Sequence, residues 1–182
     1  MNPAAPITPH PLSKSELPAL TNQALEANLI QISTTLLARG WMLATAESCT
    51  GGMIAAACTD LAGSSQWFER GFVTYSNAAK TEMLGVPAAL IEAHGAVSEP
   101  VARAMATGAV ARSHAQVAVA VTGVAGPTGG SADKPVGTVW FGWSTDGVVT
   151  TEMRRFAGDR AAVRQATLAH ALRGVVQRMA PA

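Results

Sequence analysis

The chain has 182 residues, of which 48% are hydrophobic and 14% charged, with a formal net charge of +1. So low a charged fraction, against ~25% in ordinary domains, excludes broad disorder, and the near-zero charge excludes a general electrostatic pull toward nucleic acid or acidic membrane. No apolar run reaches the ~18 residues of a membrane span, and the N-terminus lacks the charged-then-apolar order of a Sec-type signal. Five of the ten prolines (Pro3, Pro6, Pro9, Pro11 and Pro18) crowd the start, so 1–19 reads as a flexible Pro-rich tail and 20–182 as one folded domain.

Leu25, Leu29, Ile32 and Leu36 follow helical spacing, which predicts a helix from Leu20 to Arg39 stopped by Gly40. Trp41 to Ala46 reads as a short buried strand, handing over to a helix from about Gly52 to Leu61 that Ser48 or Thr50 would cap. "GFVTYS", Gly71 to Ser76, reads as a strand ending in polar residues, with Asn77 capping the helix that Gly85 closes. Pro87 opens a short helix to about His94, and Ser98 caps a longer one ending near His114. "QVAVAV", Gln116 to Val121, has the apolar, β-branched character of a buried strand. It empties into a sixteen-residue loop containing five glycines, a length that is usually functional or mobile. Two strands then flank Thr145-Asp146-Gly147 as a hairpin, and Asp159 caps a final helix to about Met179. Helices interleaved with strands, then a late hairpin, predict an α/β fold whose mixed sheet carries helices on both faces.

The stretch "TAESCTGG", Thr45 to Gly52, puts small polar groups where that first strand meets its helix. A serine there lies near unpaired N–H groups and the positive end of a helix dipole, and Gly51-Gly52 would let a substrate approach the backbone. Ser48 is therefore either an N-cap or a nucleophile beside an oxyanion hole. Cys49 is a rival nucleophile, although buried free cysteine is usually inert packing.

A base is the next requirement. His10, His94, His114 and His170 all lie outside polar clusters, and no metal-ligand spacing appears, so neither a histidine base nor a metal is expected. Lys80, near the start of its helix with Tyr75 nearby, is either a solvated lysine or an amine whose pKa the helix dipole depresses enough for it to act as a base. Glycines of the Thr122–Gly130 segment follow a buried strand, where α/β sheets tend to bind ligands, but match neither a Walker loop nor a dinucleotide fingerprint. Arg160 and Arg164, one helical turn apart, suit a phosphate or a solvated face. The two cysteines match no zinc spacing and are too few for a disulfide scaffold, which points to the reducing cytoplasm.

Together, "TAESCTGG", "GSSQWFERGFVTYSNAAK", "GAVSEP", "VTGVAGPTGG", "KPVGTVWFGW" and "FAGDRAAVR" resemble, in this order, the CinA C-terminal-domain family over about residues 22–180. That family includes stand-alone nicotinamide-nucleotide amidohydrolases; the N-terminal domain of its longer members has no counterpart in the short tail. The resemblance implies a three-layer α/β/α fold, a homodimer, no cofactor, and hydrolysis of nicotinamide mononucleotide to nicotinic acid mononucleotide and ammonia. It implies Ser48 as nucleophile with Lys80 and Tyr75 as the activating pair. Substrate contacts are expected from Glu47, Thr50, Gly51, Gly52, Asn77, Thr122, Gly123, Gly126, Arg160 and Arg164. Two other functions compete: a serine amidohydrolase acting on a different amide, and a non-catalytic nucleotide-binding module linked to competence.

Overall fold

A computed structural model describes residues 16–180, with side chains from Asn22 onward. Five strands, β1 (Leu43–Glu47), β2 (Phe68–Val73), β3 (Val117–Gly123), β4 (Thr138–Thr145) and β5 (Val148–Arg155), form one sheet in the order β2-β1-β3-β4-β5. β1 runs parallel to β2 and β3, while β4 and β5 add an antiparallel hairpin. Its two-residue turn is Asp146-Gly147, with φ of 48° and 79°, the left-handed pair that matches the twist of the strands.

Six helices cover the sheet: α1 (Glu16–Arg39), α2 (Met53–Asp60), α3 (Asn77–Leu84), α4 (Ala88–His94), α5 (Glu99–Ala111) and α6 (Arg160–Met179). The valine–alanine alternation of β3 separates the two faces. Val117, Val119 and Val121 join the core with α1, α2 and α6, and Ala118 and Ala120 join the core with α3, α4 and α5. Each fully buried valine contributes roughly 1.5–3 kcal/mol. The alanine face lets α5 lie close to the sheet: a Cβ on Gly142 would stand 2.4 Å from the Ala102 carbonyl oxygen. The expected mixed sheet with helices on both faces is thus the observed three-layer architecture.

Chain direction puts the site at one edge of the layers. From β1 the chain crosses to β2 on one side, and β3 lies on the other, so β1 ends at a topological switch point, where open α/β sheets bind ligands. Hydrogen bonds continue past the strand ends, from Thr74 N to Glu47 O (2.8 Å) and from Ser48 N to Val121 O (3.0 Å). Three segments are thereby fixed side by side: Ser48 onward, Thr74 onward and the loop after Gly123.

Several boundaries differ from expectation. α1 begins at Glu16 rather than Leu20, and residues 1–15 of the expected tail lie outside the described residues. β2 spans Phe68–Val73 rather than Gly71–Ser76, because its pairing with β1 ends at Glu47↔Val73. Ser76, not Asn77, caps α3: its hydroxyl accepts from Ala79 N at 3.0 Å. Asp159 caps α6 as expected, accepting from Ala162 N at 2.9 Å.

Candidate active site

Neither Ser48 nor Thr50 caps α2. The N-cap position is Gly52, with φ of 99° and no side chain to offer, and the cap comes from the strand side instead. Glu47 is fully buried, and its carboxylate accepts from Gly52 N (3.0 Å), Ile54 N (3.0 Å) and Ala55 N (2.8 Å). A side chain five residues before the cap thus does what an Asp or Ser cap normally does. Glu47 was expected to touch substrate; its burial and three backbone partners place it inside the scaffold instead.

Released from capping, the Ser48 hydroxyl faces Lys80, whose Nζ lies 3.0 Å from Ser48 Oγ. Lys80 is the fourth residue of α3, yet only 1% exposed, because α3 lies on the sheet face that also holds Leu84 and Phe72. Its ammonium would be held by one further protein acceptor, the Thr74 carbonyl at 2.8 Å. Burial is the main reason its pKa falls from 10.5 to about 8, with Cys49 pulling weakly the other way. The helix dipole, the cause expected from sequence, yields to desolvation. Thr74 was not singled out from sequence, where it lies inside the expected strand Gly71–Ser76; only the end of β2 at Val73 turns its carbonyl toward Lys80.

Burial pushes the Cys49 thiol up to about 11, so it is protonated at neutral pH and a poor rival to Ser48. His94 and His114 are exposed, and His170 is packed among Phe141, Trp143 and Phe156, so no described histidine pairs with Ser48. Among the described residues no cluster of acidic, histidine and cysteine side chains could hold a metal.

Tyr75 takes a different place from the one expected. It is 60% exposed, and its hydroxyl oxygen accepts from Arg160 Nη2 at 3.0 Å rather than bridging Lys80 and Ser48, which meet directly. Arg160 also donates from Nη1 to Gly126 O at 3.0 Å, tying the loop after β2 to the loop after β3. Arg164 donates from Nη2 to Thr50 O at 2.8 Å. Both arginines line a cleft of about 660 Å³ with Ala125, Pro127, Val136 and Gly158. Beside that cleft Arg164 Nε, and on the serine turn Thr50 Oγ1, are buried without a hydrogen-bond partner.

The remaining candidates divide. Gly51 adjoins Arg164, whose Nη2 a Cβ would approach to 3.8 Å. Asn77 is exposed on the first turn of α3. Thr122 spends its hydroxyl on Ala96 O at 2.9 Å, so it fixes the loop before α5 rather than offering a free donor. Gly123 is a packing glycine: a Cβ there would come within 2.7 Å of Val139 Cγ2.

The CinA C-terminal domain family matches residues 25–179. The nicotinamide-nucleotide amidohydrolase PncC of Enterobacter agglomerans is 56% identical over 80% of this chain and 89% of its own length. That of Pseudomonas putida is 59% identical over 73% of this chain and 83% of its own. The crystal structure of the competence/damage inducible protein CihA from Agrobacterium tumefaciens superposes with a TM-score of 0.82, at 47% identity, covering 85% of this chain and 94% of that one. A half-buried serine facing a buried lysine at the switch point of a three-layer sheet, and sequence matches across nearly the whole described chain, lead to one conclusion: the chain belongs to the CinA C-terminal domain family.

Proposed function

We propose that this protein hydrolyses the carboxamide of nicotinamide mononucleotide through an ester formed on Ser48, releasing ammonia and nicotinic acid mononucleotide. The observation that carries the reading is the buried Lys80 amine 3.0 Å from Ser48 Oγ. The amidohydrolase class and the substrate come from relatives 56% and 59% identical that bear the name nicotinamide-nucleotide amidohydrolase.

With its pKa near 8, Lys80 is partly neutral at physiological pH. One N–H donates to the Thr74 carbonyl, which orients the nitrogen lone pair toward the serine hydroxyl. Lys80 takes the Ser48 proton as Oγ bonds to the amide carbon, and backbone N–H groups of the following turn hold the developing oxyanion. The C–N bond breaks as Lys80 returns the proton to the departing nitrogen. Water, deprotonated by the same amine, then attacks the ester and restores Ser48. No step calls for a cofactor.

The cleft beside Arg164 suits the nucleotide phosphate. Arg160 is already committed to Gly126 and Tyr75, whereas Arg164 Nε and Thr50 Oγ1 have no partner, so we assign the phosphate to the latter pair. Tyr75, held by Arg160 and free to donate its own proton, would border the substrate rather than relay the serine proton. Buried free thiols at Cys49 and Cys58 suit a reducing compartment, and we place the enzyme in the cytoplasm, recycling pyridine nucleotides as a homodimer.

The test is ammonia release from nicotinamide mononucleotide by the purified chain, beside a panel of other carboxamides. Release from this substrate, lost in Ser48→Ala, supports the reading. Release from an uncharged amide at a higher kcat/KM would move it to a different amidohydrolase, and no release from any amide would leave a binding module.

A further inference from the structure

Every donor around the Ser48 turn can be accounted for. Ser48 N donates to Val121 O at 3.0 Å and Gly51 N to Ser48 O at 3.1 Å. Gly52 N, Ile54 N and Ala55 N all go to the buried Glu47 carboxylate. Among the described residues, the N–H of Thr50 has no acceptor and that of Cys49 meets only its own thiol sulfur, and the fully buried Thr50 hydroxyl is also without a partner.

We infer that Glu47 is a positioning residue of the acyl-transfer site. By taking the first donors of α2, its carboxylate leaves the backbone N–H groups of Cys49 and Thr50, and not the helix end itself, to receive the oxyanion. The inference rests on the serine-nucleophile reading above. Two physical consequences support it. A carboxylate seated on a helix N-terminus cancels the positive end of the dipole, so an anion gains little by approaching Gly52 to Ala55. The same three bonds close a ring from the end of β1 to the first turn of α2, which fixes the backbone of Ser48 to Gly51 from both ends. A preorganised donor pair costs no reorganisation when charge develops, which is the condition for strong oxyanion stabilisation. The sequence pays for this arrangement with a glycine at the cap, since any side-chain cap at Gly52 would compete with Glu47 for the same donors.

The experiment uses pyridine-3-boronic acid, whose boron accepts Ser48 Oγ to give a tetrahedral, anionic adduct while the serine proton passes to Lys80. In the wild-type protein, amide proton resonances of Cys49 and Thr50 should move downfield on adduct formation, while those of Gly52, Ile54 and Ala55 stay in place. Shifts confined to Gly52, Ile54 and Ala55 would overturn the inference. In Glu47→Gln, the amide presents a donor to the helix where an acceptor is needed. The kcat per titrated active site should fall on the order of a hundredfold, boronate affinity should fall with it, and substrate KM should change little. A Glu47→Gln enzyme with fewer active molecules but wild-type kcat per site and wild-type boronate affinity would show a merely structural carboxylate and overturn it. The wild-type measurement stands even if the variant fails to fold. Failure of the serine reading itself is seen separately, as a Ser48→Ala protein that still releases ammonia.

Discussion

Lys80 Nζ stands 3.0 Å from Ser48 Oγ although 32 residues separate them in sequence, and the same nitrogen donates to the Thr74 carbonyl. Three consecutive features of the fold produce this contact. β1 ends at Glu47, Glu47 rather than Ser48 caps α2, and β2 delivers Thr74 beside them before Ser76 starts α3. The serine is thereby left with a buried amine as its nearest functional partner.

Replacing Ser48 by Ala should abolish ammonia release while leaving the melting temperature near wild type, because one oxygen is lost and no cap is broken. Cys49→Ala should keep most activity, since its thiol is protonated at neutral pH. Turnover measured for both variants checks the assignment, and a dead Cys49→Ala beside a working Ser48→Ala would reverse it.

Lys80→Met should be inactive yet more stable than wild type at neutral pH. A fall in pKa from 10.5 to about 8 corresponds to roughly 3 kcal/mol against burying the ammonium, offset by about 1 kcal/mol for each of the two hydrogen bonds lost, to Ser48 Oγ and to the Thr74 carbonyl. The sign follows from proton counts. Below pH 8 the amine is charged in both states and the cost is complete; between about 8 and 10.5 only the unfolded chain stays charged, so stability rises with pH. Chemical denaturation of both proteins from pH 7 to 10.5 should show the gap narrowing as pH rises. A Met variant less stable than wild type at pH 7 would contradict this.

Much of this was legible in the sequence, and the gaps have physical causes. The alternation in "VAVAV" announced a buried strand, and Asp146-Gly147 announced its hairpin, because both signals are local. Ser48 and Lys80 were each visible as candidates, but their contact depends on β1 and β2 pairing in parallel, a long-range fact that no local pattern encodes. Glu47 was misread for the same reason: a carboxylate that caps a helix from the preceding strand lies outside the usual capping window. Tyr75 was expected at the end of a strand running to Ser76, but β2 ends at Val73 and the Tyr75 hydroxyl goes to Arg160, which lies 85 residues away on α6.

Arg164→Gln should raise the KM for nicotinamide mononucleotide roughly 10- to 100-fold, the worth of a charge-assisted hydrogen bond of about 1.5–3 kcal/mol. Its effect on kcat should be smaller, because the guanidinium reaches the serine turn only through the Thr50 carbonyl. The dephosphorylated nucleoside should show no such dependence on Arg164. Steady-state kinetics with both substrates decides it, and equal losses on both would remove the phosphate assignment.

His170 should make the fold acid-sensitive. Its Nδ1 lies 2.8 Å from Arg173 Nη2, so the ring accepts there and is neutral. Desolvation among aromatic rings lowers its pKa, with Glu152 opposing and Arg173 and Arg154 adding to the shift. A histidine with a depressed folded pKa takes up its proton more readily when unfolded, so stability should fall as pH drops below about 6.5. His170→Gln should flatten that decline in a melting-temperature series from pH 7.5 to 5. An unchanged slope would assign the acid sensitivity to carboxylates instead.

The most direct test of the Ser48–Lys80 pair is kcat/KM against pH for wild type and Lys80→Arg, both acting on nicotinamide mononucleotide. The wild-type profile should rise on a limb near 8, the value that burial gives the Lys80 amine. Lys80→Arg should lose orders of magnitude in rate at every pH, because a guanidinium stays charged and cannot accept the serine proton. An arginine enzyme with near-wild-type turnover and the same limb would contradict the account, leaving residue 80 an electrostatic contact and the base elsewhere.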